Sequence, residues 1–229
     1  MDRLVEPELL DQLPAEDPRA IRSRQDLRRL NACMRNTRIM ARQLVSCFEG
    51  HPPRKLVELG AGDATFLLGI AQKLPSNWKG TEAVLVDRKE IVTSATIQGF
   101  EKIGWKIKTV SADVFDWLKD HEPCDVMIAN LFLHHFSASK LTSLFHEASK
   151  HAKAFVGVEP RRWGWSLFFG RFVWMIGCNR VTQHDAIASI RAGFAREELS
   201  VLWPKNGSWV LEERPENLAT HLFVARRRG

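Results

Sequence analysis

Five short runs, four of them largely apolar and one interrupted by lysines, constrain this chain more than any other feature. They are Leu56-Val57-Glu58-Leu59, Ala83 to Asp87, Trp105 to Val110, Asp125 to Asn130 and Ala154 to Val158. Stretches with helical periodicity, Ala64–Leu74, Lys89–Ile103 and Ser139–His151, fill three of the gaps between them. A strand apolar on both faces must be covered on both faces, and strands alternating with helices run parallel. The pattern predicts a doubly wound, Rossmann-like α/β sheet of seven strands, mostly parallel. Leu199–Leu202 and Leu222–Ala225 are expected to close it as an antiparallel hairpin. Ligands of such sheets bind beyond the carboxyl ends of the strands, near the switch in strand order.

The first fifty residues read differently. Residues 1–18 are punctuated by proline and predict an extended segment, and the apolar spacing from Arg19 to Phe48 predicts a helix. His51-Pro52-Pro53 stops it. The expected organisation is a helical cap over 1–50 and a ligand-binding domain over 51–229, with an insert at about 159–195.

The chain has 229 residues, with 33 Lys+Arg against 27 Asp+Glu, a net charge of +6. Much of that excess lies in Arg19 to Arg42 and in Arg226-Arg227-Arg228. This balance permits a nucleic-acid partner without requiring one. Cys33, Cys47, Cys124 and Cys178 show no paired spacing, which points to reduced thiols and a cytoplasmic location. The N-terminus lacks the apolar core of a signal peptide. The most apolar stretch, Trp163–Cys178, is shorter than a membrane span and carries Arg171.

Chemistry concentrates at Val57-Glu58-Leu59-Gly60-Ala61-Gly62-Asp63-Ala64-Thr65, where a strand ends in a glycine turn and a helix begins. Gly60 and Gly62 allow a ligand to approach the backbone closely. Glu58 would repel a pyrophosphate but suits an ammonium. Asp87, ending the next strand, is placed to accept both hydroxyls of a ribose. Asp113, ending the third, can accept from an exocyclic adenine amine. The ligand so described has an ammonium, a ribose and an adenine but no phosphate. A dehydrogenase-type domain is the alternative.

On these motifs the chain resembles the class I S-adenosylmethionine-dependent methyltransferases. The resemblance runs from Val57 to Val158 and implies S-adenosyl-L-methionine as cofactor. It implies Glu58, Gly60, Ala61 and Gly62 at the methionine end, with Arg35 reaching in from the cap beside Asn36. It further implies Asp87 and Arg88 at the ribose, Asp113 and Val114 at the adenine, and Asn130 and Leu131 beside the sulfonium. Ala64 stands where the pattern often has a third glycine.

Leu133-His134-His135-Phe136 is similar to the branch that methylates quinones, phenols and polyketide-like acceptors. O-methylation is expected, with His135 as general base and His134 at the acceptor. C-methylation of a quinone-like ring, an RNA-modifying enzyme and a cofactor-binding protein without catalysis are the alternatives. Trp163, Trp165 and Phe168 form an aromatic stretch suited to a flat ring or acyl chain, and His184 and Arg191 are expected at the acceptor mouth as catalytic and binding groups. No metal is expected, since Asp113, Asp116 and Asp185 are dispersed. A monomer or homodimer is anticipated.

Overall fold

Strands buried on both faces form the centre of the molecule. The computed structural model describes residues 2–49, 51–164 and 177–228. Five parallel strands carry the sheet: Lys55–Leu59 (β1), Glu82–Asp87 (β2), Lys106–Ser111 (β3), Cys124–Asn130 (β4) and Ala152–Pro160 (β5). Trp209–Pro215 (β6) and Thr220–Arg227 (β7) form an antiparallel hairpin. The order is β3-β2-β1-β4-β5-β7-β6, with the switch between β1 and β4. The edges carry Lys106 and Lys108 on β3 and Glu212 and Arg214 on β6, charges that discourage edge-to-edge pairing.

Helices Pro18–Met34 (α2), Asn36–Phe48 (α3), Thr65–Ala71 (α4) and Ser94–Lys102 (α5) precede or follow β1 and β2. Val114–Trp117 (α6) and Ala138–His151 (α7) flank β4. Arg180–Ala192 (α8) and Glu198–Leu202 (α9) lie between β5 and β6. One face buries Leu56, Leu85, Ile128 and Val156 beneath α3 and α4, and the other buries Val57, Met127, Phe155 and Phe223 beneath α7. No helix among the described residues is long and apolar enough to cross a membrane.

Three expectations are corrected. Leu199–Leu202 lies in helix α9, not a strand, because the Glu213 carboxylate accepts from the Leu199 and Ser200 amides at 3.0 and 2.6 Å. The hairpin's first strand is β6. The helix predicted from Arg19 to Phe48 is two helices, broken at Arg35 with φ of 60°. Asn36 fixes that break by bonding residues outside the helix. Residues 1–18 are not wholly extended, since Leu9–Gln12 forms a single helical turn (α1).

Candidate functional site

The predicted cofactor residues of the sheet lie at or just past the carboxyl ends of β1, β2, β3 and β4. Gly60 and Ala61 donate their amides to the Val86 carbonyl at 2.9 and 3.1 Å, pinning the turn to β2. Gly60 has φ of +71°, and a Cβ there would lie 2.2 Å from Cδ2 of Phe132. Gly60→Ala is therefore expected to cost about 2–4 kcal/mol, through overpacking and left-handed strain. Chemical denaturation checks it, and an unchanged midpoint would mean that Phe132 moves away freely.

A Cβ on Gly62 would meet nothing within 4 Å, so the space above the turn is open. Asp87 is held in place: Oδ2 accepts from the Gly62 amide and Oδ1 from the Lys89 amide, both at 2.8 Å. Each oxygen retains a lone pair for a hydroxyl. Arg88 beside it is exposed. Asp113 accepts from the Phe115 amide at 2.8 Å, capping α6 and burying Val114.

Glu58 is 2% exposed, and its Oε2 has no hydrogen-bond partner among the described residues. Burial, then repulsion from Asp63 and Asp87, pushes its carboxyl well above the usual range. A buried, unsatisfied acid beside open space is costly until a cation or donor arrives. The donor set therefore fits an ammonium at Glu58 and a diol at Asp87.

The cap is tied over this cradle. Arg28 of α2 donates to Asp63 Oδ2 at 2.6 Å, and Lys89 donates to the Leu10 and Leu13 carbonyls at 3.1 and 3.0 Å. Asn130, on the floor, donates to Asn31 at 3.1 Å and accepts from Asn36 at the same distance. Asn36 in turn accepts from the Thr220 hydroxyl at 3.0 Å. Leu131 follows with φ of 50°.

A cavity of about 490 Å³ opens beside Leu131 and Arg35, between α1, α2 and α8. Leu10, Leu27, Leu30, Met34, Ile190 and Leu218 supply its apolar wall, and Glu8, Asp185 and Ser189 its polar side. Gly60, Asp87 and Asp113 do not line it, so cradle and cavity are neighbours meeting near Leu131.

The two histidines of the Leu133–His135 turn have different environments. His134 is 2% exposed, with Nδ1 2.8 Å from Glu159 Oε2 and Nε2 3.2 Å from Glu8 Oε1. Burial opposes its charge, but hydrogen bonds to Glu159 and Glu8 outweigh this and raise its pKa to about 9. Burial likewise opposes charge on Glu8, while His134, His135 and the Ser189 hydroxyl lower it to about 2. Glu159 also accepts from the Phe132 and Leu133 amides at 3.0 and 2.9 Å. His134 is thus a buried imidazolium between two carboxylates, and neither it nor His135 lines the cavity.

His135 is partly exposed, with Nδ1 3.5 Å from Asp11 Oδ2. Burial, then the neighbouring His134 charge, lowers its pKa and keeps it neutral. Glu8, His134 and His135 form the one grouping of three ligand-type side chains found among the described residues, and both nitrogens of His134 are already engaged.

The remaining candidates lie elsewhere. His184 is more than half exposed and pairs with Asp185, whose oxygens accept from the Leu9 and Leu10 amides. Arg191 is exposed, 3.7 Å from Glu6. Trp163 donates to the Leu218 carbonyl at 2.8 Å and stacks with Arg161. Trp165 and Phe168 fall outside the described residues. Glu8, Asp11, Arg28, Asn31 and Lys89 were not predicted. Glu8 and Asp11, spaced three apart, meet adjacent histidines over 120 positions away, and no local pattern announces that.

Comparison with known proteins agrees with this geometry at the level of the fold. No protein-family model matches the sequence, and the search of curated proteins gives no match. Among solved structures, the plantazolicin methyltransferase BpumL in complex with SAH superposes with a TM-score of 0.69 at 14% identity, over 96% of this chain and 94% of that one. The fold is that of S-adenosylmethionine-dependent methyltransferases. An O-methyltransferase family protein from Burkholderia thailandensis shares the methyltransferase fold at a TM-score of 0.62 and 15% identity, over 94% of this chain and 61% of that one. The pyocyanin biosynthetic protein PhzM superposes at 0.59 and 16%, over 97% and 62%.

Proposed function

We propose that this chain is an S-adenosylmethionine-dependent methyltransferase that O-methylates a small aromatic, phenolic or polyketide-derived acceptor. The observation that carries the reading is Glu58: a buried acid with an unpartnered oxygen, beside an open glycine turn and one strand from Asp87. In this reading the cofactor supplies an electrophilic methyl on a sulfonium. Glu58 takes the ammonium, Asp87 the ribose and Asp113 with Val114 the adenine, while Arg35 is the cationic partner for the methionine carboxylate. Arg28, Lys89 and Asn31 hold the cap across the cradle and exclude water. The acceptor lies in the cavity beside Leu131.

O-methylation is favoured over C-methylation by His135, a neutral imidazole with Asp11 near Nδ1, which leaves Nε2 to take the hydroxyl proton. Its lowered pKa places the acid limb of turnover below pH 6.5. The basic helix favours a small acceptor over RNA, because its charge is largely spent internally: Arg22 and Arg29 face Asp26, Arg28 faces Asp63 and Arg42 faces Glu216. The similar folds supply supporting likenesses, since one belongs to a plantazolicin methyltransferase and another to a pyocyanin biosynthetic protein.

Calorimetry with S-adenosylmethionine, S-adenosylhomocysteine and NAD tests the class. Saturable binding of the first two but not NAD is expected, and Asp87→Ala should weaken it about 100-fold by removing two charge-assisted hydrogen bonds. Binding of NAD alone would overturn the reading. His135→Ala should lower turnover while leaving S-adenosylhomocysteine affinity intact, and parallel losses in both would remove its role as base.

A further inference from the structure

Glu8 reaches the acceptor cavity from the N-terminal segment and is 9% exposed. Only one of its carboxylate oxygens is occupied. Oε1 meets His134 Nε2 at 3.2 Å and also accepts from the Ser189 hydroxyl, whereas Oε2 has no partner among the described residues. Two groups hold the carboxylate at Oε1, Ser189 and His134, and His134 is itself anchored by Glu159 at 2.8 Å. The other acid of the cavity is already used: Asp185 accepts from the Leu9 amide at 2.8 Å and the Leu10 amide at 3.0 Å, and pairs with His184. Leu27, Leu30 and Met34 recur along one face of α2 and make the opposite wall apolar.

We propose that Glu8 is an acceptor-binding residue, whose Oε2 accepts a hydrogen bond from a hydroxyl on an otherwise apolar acceptor lying against Leu27, Leu30 and Met34. A fixed buried carboxylate with one spare oxygen selects strongly for a donor, since an acceptor lacking one would leave that oxygen desolvated and unpaired. A hydroxyl fits better than an ammonium, because it brings one donor where an ammonium brings three into a wall that is mostly carbon. This rests on the reading of the cavity as the acceptor site.

The test compares hexylphenol with its methyl ether, hexylanisole, by calorimetry on the protein saturated with S-adenosylhomocysteine. The wild type is expected to bind the phenol at least about tenfold more tightly. Glu8→Gln should erase or reverse that preference, since an amide can donate to the ether oxygen. Should that variant unfold, Glu8→Asp reads the same point: it keeps the charge beside His134 but withdraws the oxygen, and the preference should shrink. Equal wild-type affinity for the two probes, retention of the preference in Glu8→Gln, or failure of both probes to bind would each overturn the proposal. Failure of S-adenosylhomocysteine to bind would strike the methyltransferase reading instead, and the same comparison on the free protein still decides Glu8.

Discussion

His134→Leu should destabilise the protein by about 3–5 kcal/mol, because removing one partner of a buried ion pair strands the other charges. At this chain length that corresponds to a fall in Tm of about 10 °C. Glu159 and Glu8 would then face each other across an apolar side chain, and the N-terminal segment would lose the ion pair through Glu8 while keeping its bonds from Arg3 and to Asp185. The pH dependence carries the same signature. The folded pKa of His134 is raised to about 9. Its contribution is therefore complete below the unfolded value near 6.5 and is lost as pH rises through 9. Glu8 has the opposite sign: its pKa is lowered to about 2, so its contribution holds above the usual carboxylate range and is lost only in strong acid. Hydrogen-exchange protection at residues 3–12, corrected for the intrinsic rise of exchange with pH, should fall between pH 7 and 9.5 in the wild type. A flat profile, or a stable His134→Leu protein, would show that the ion chain does not hold the segment.

Glu58→Gln is expected to raise thermal stability while weakening S-adenosylmethionine binding by about 100-fold. The opposite signs follow from one cause. Glu58 is buried with a raised pKa, so the native protein holds a proton that the unfolded chain releases above the carboxylate range. The resulting cost grows with pH, and a neutral amide removes it. An incoming ammonium reverses the balance by favouring the charged form. Binding should then release up to about one proton near neutral pH, read as a difference in calorimetric heat between buffers of unlike ionisation enthalpy. Equal heats together with full affinity in Glu58→Gln would remove the ammonium from this site.

Much of the fold was legible along the chain because its causes are local. The runs at Leu56, Ala83, Asp125 and Ala154 are apolar on both faces, so only covered parallel strands satisfy them. Gly60, Gly62, Asp87 and Asp113 were readable for a related reason: each lies at or just past the carboxyl end of a strand, and the order of strands fixes where those ends meet. Leu199–Leu202 misled because its apolar run is short enough for either state, and the deciding contact is Glu213 from a later strand. Arg35 misled in the same way. Its helix break is set by Asn31, Asn130 and Thr220 around Asn36.

The sequence by itself determined the α/β sheet, the glycine turn and the acids at the strand ends, since periodicity and strand order act over a few residues. Only the tertiary structure decided which histidine is locked and which stands apart, and that Glu8 faces the cavity. Those outcomes depend on burial and on charges brought together from residues 8, 134 and 159, and solvent exclusion at that meeting point has no trace in local sequence.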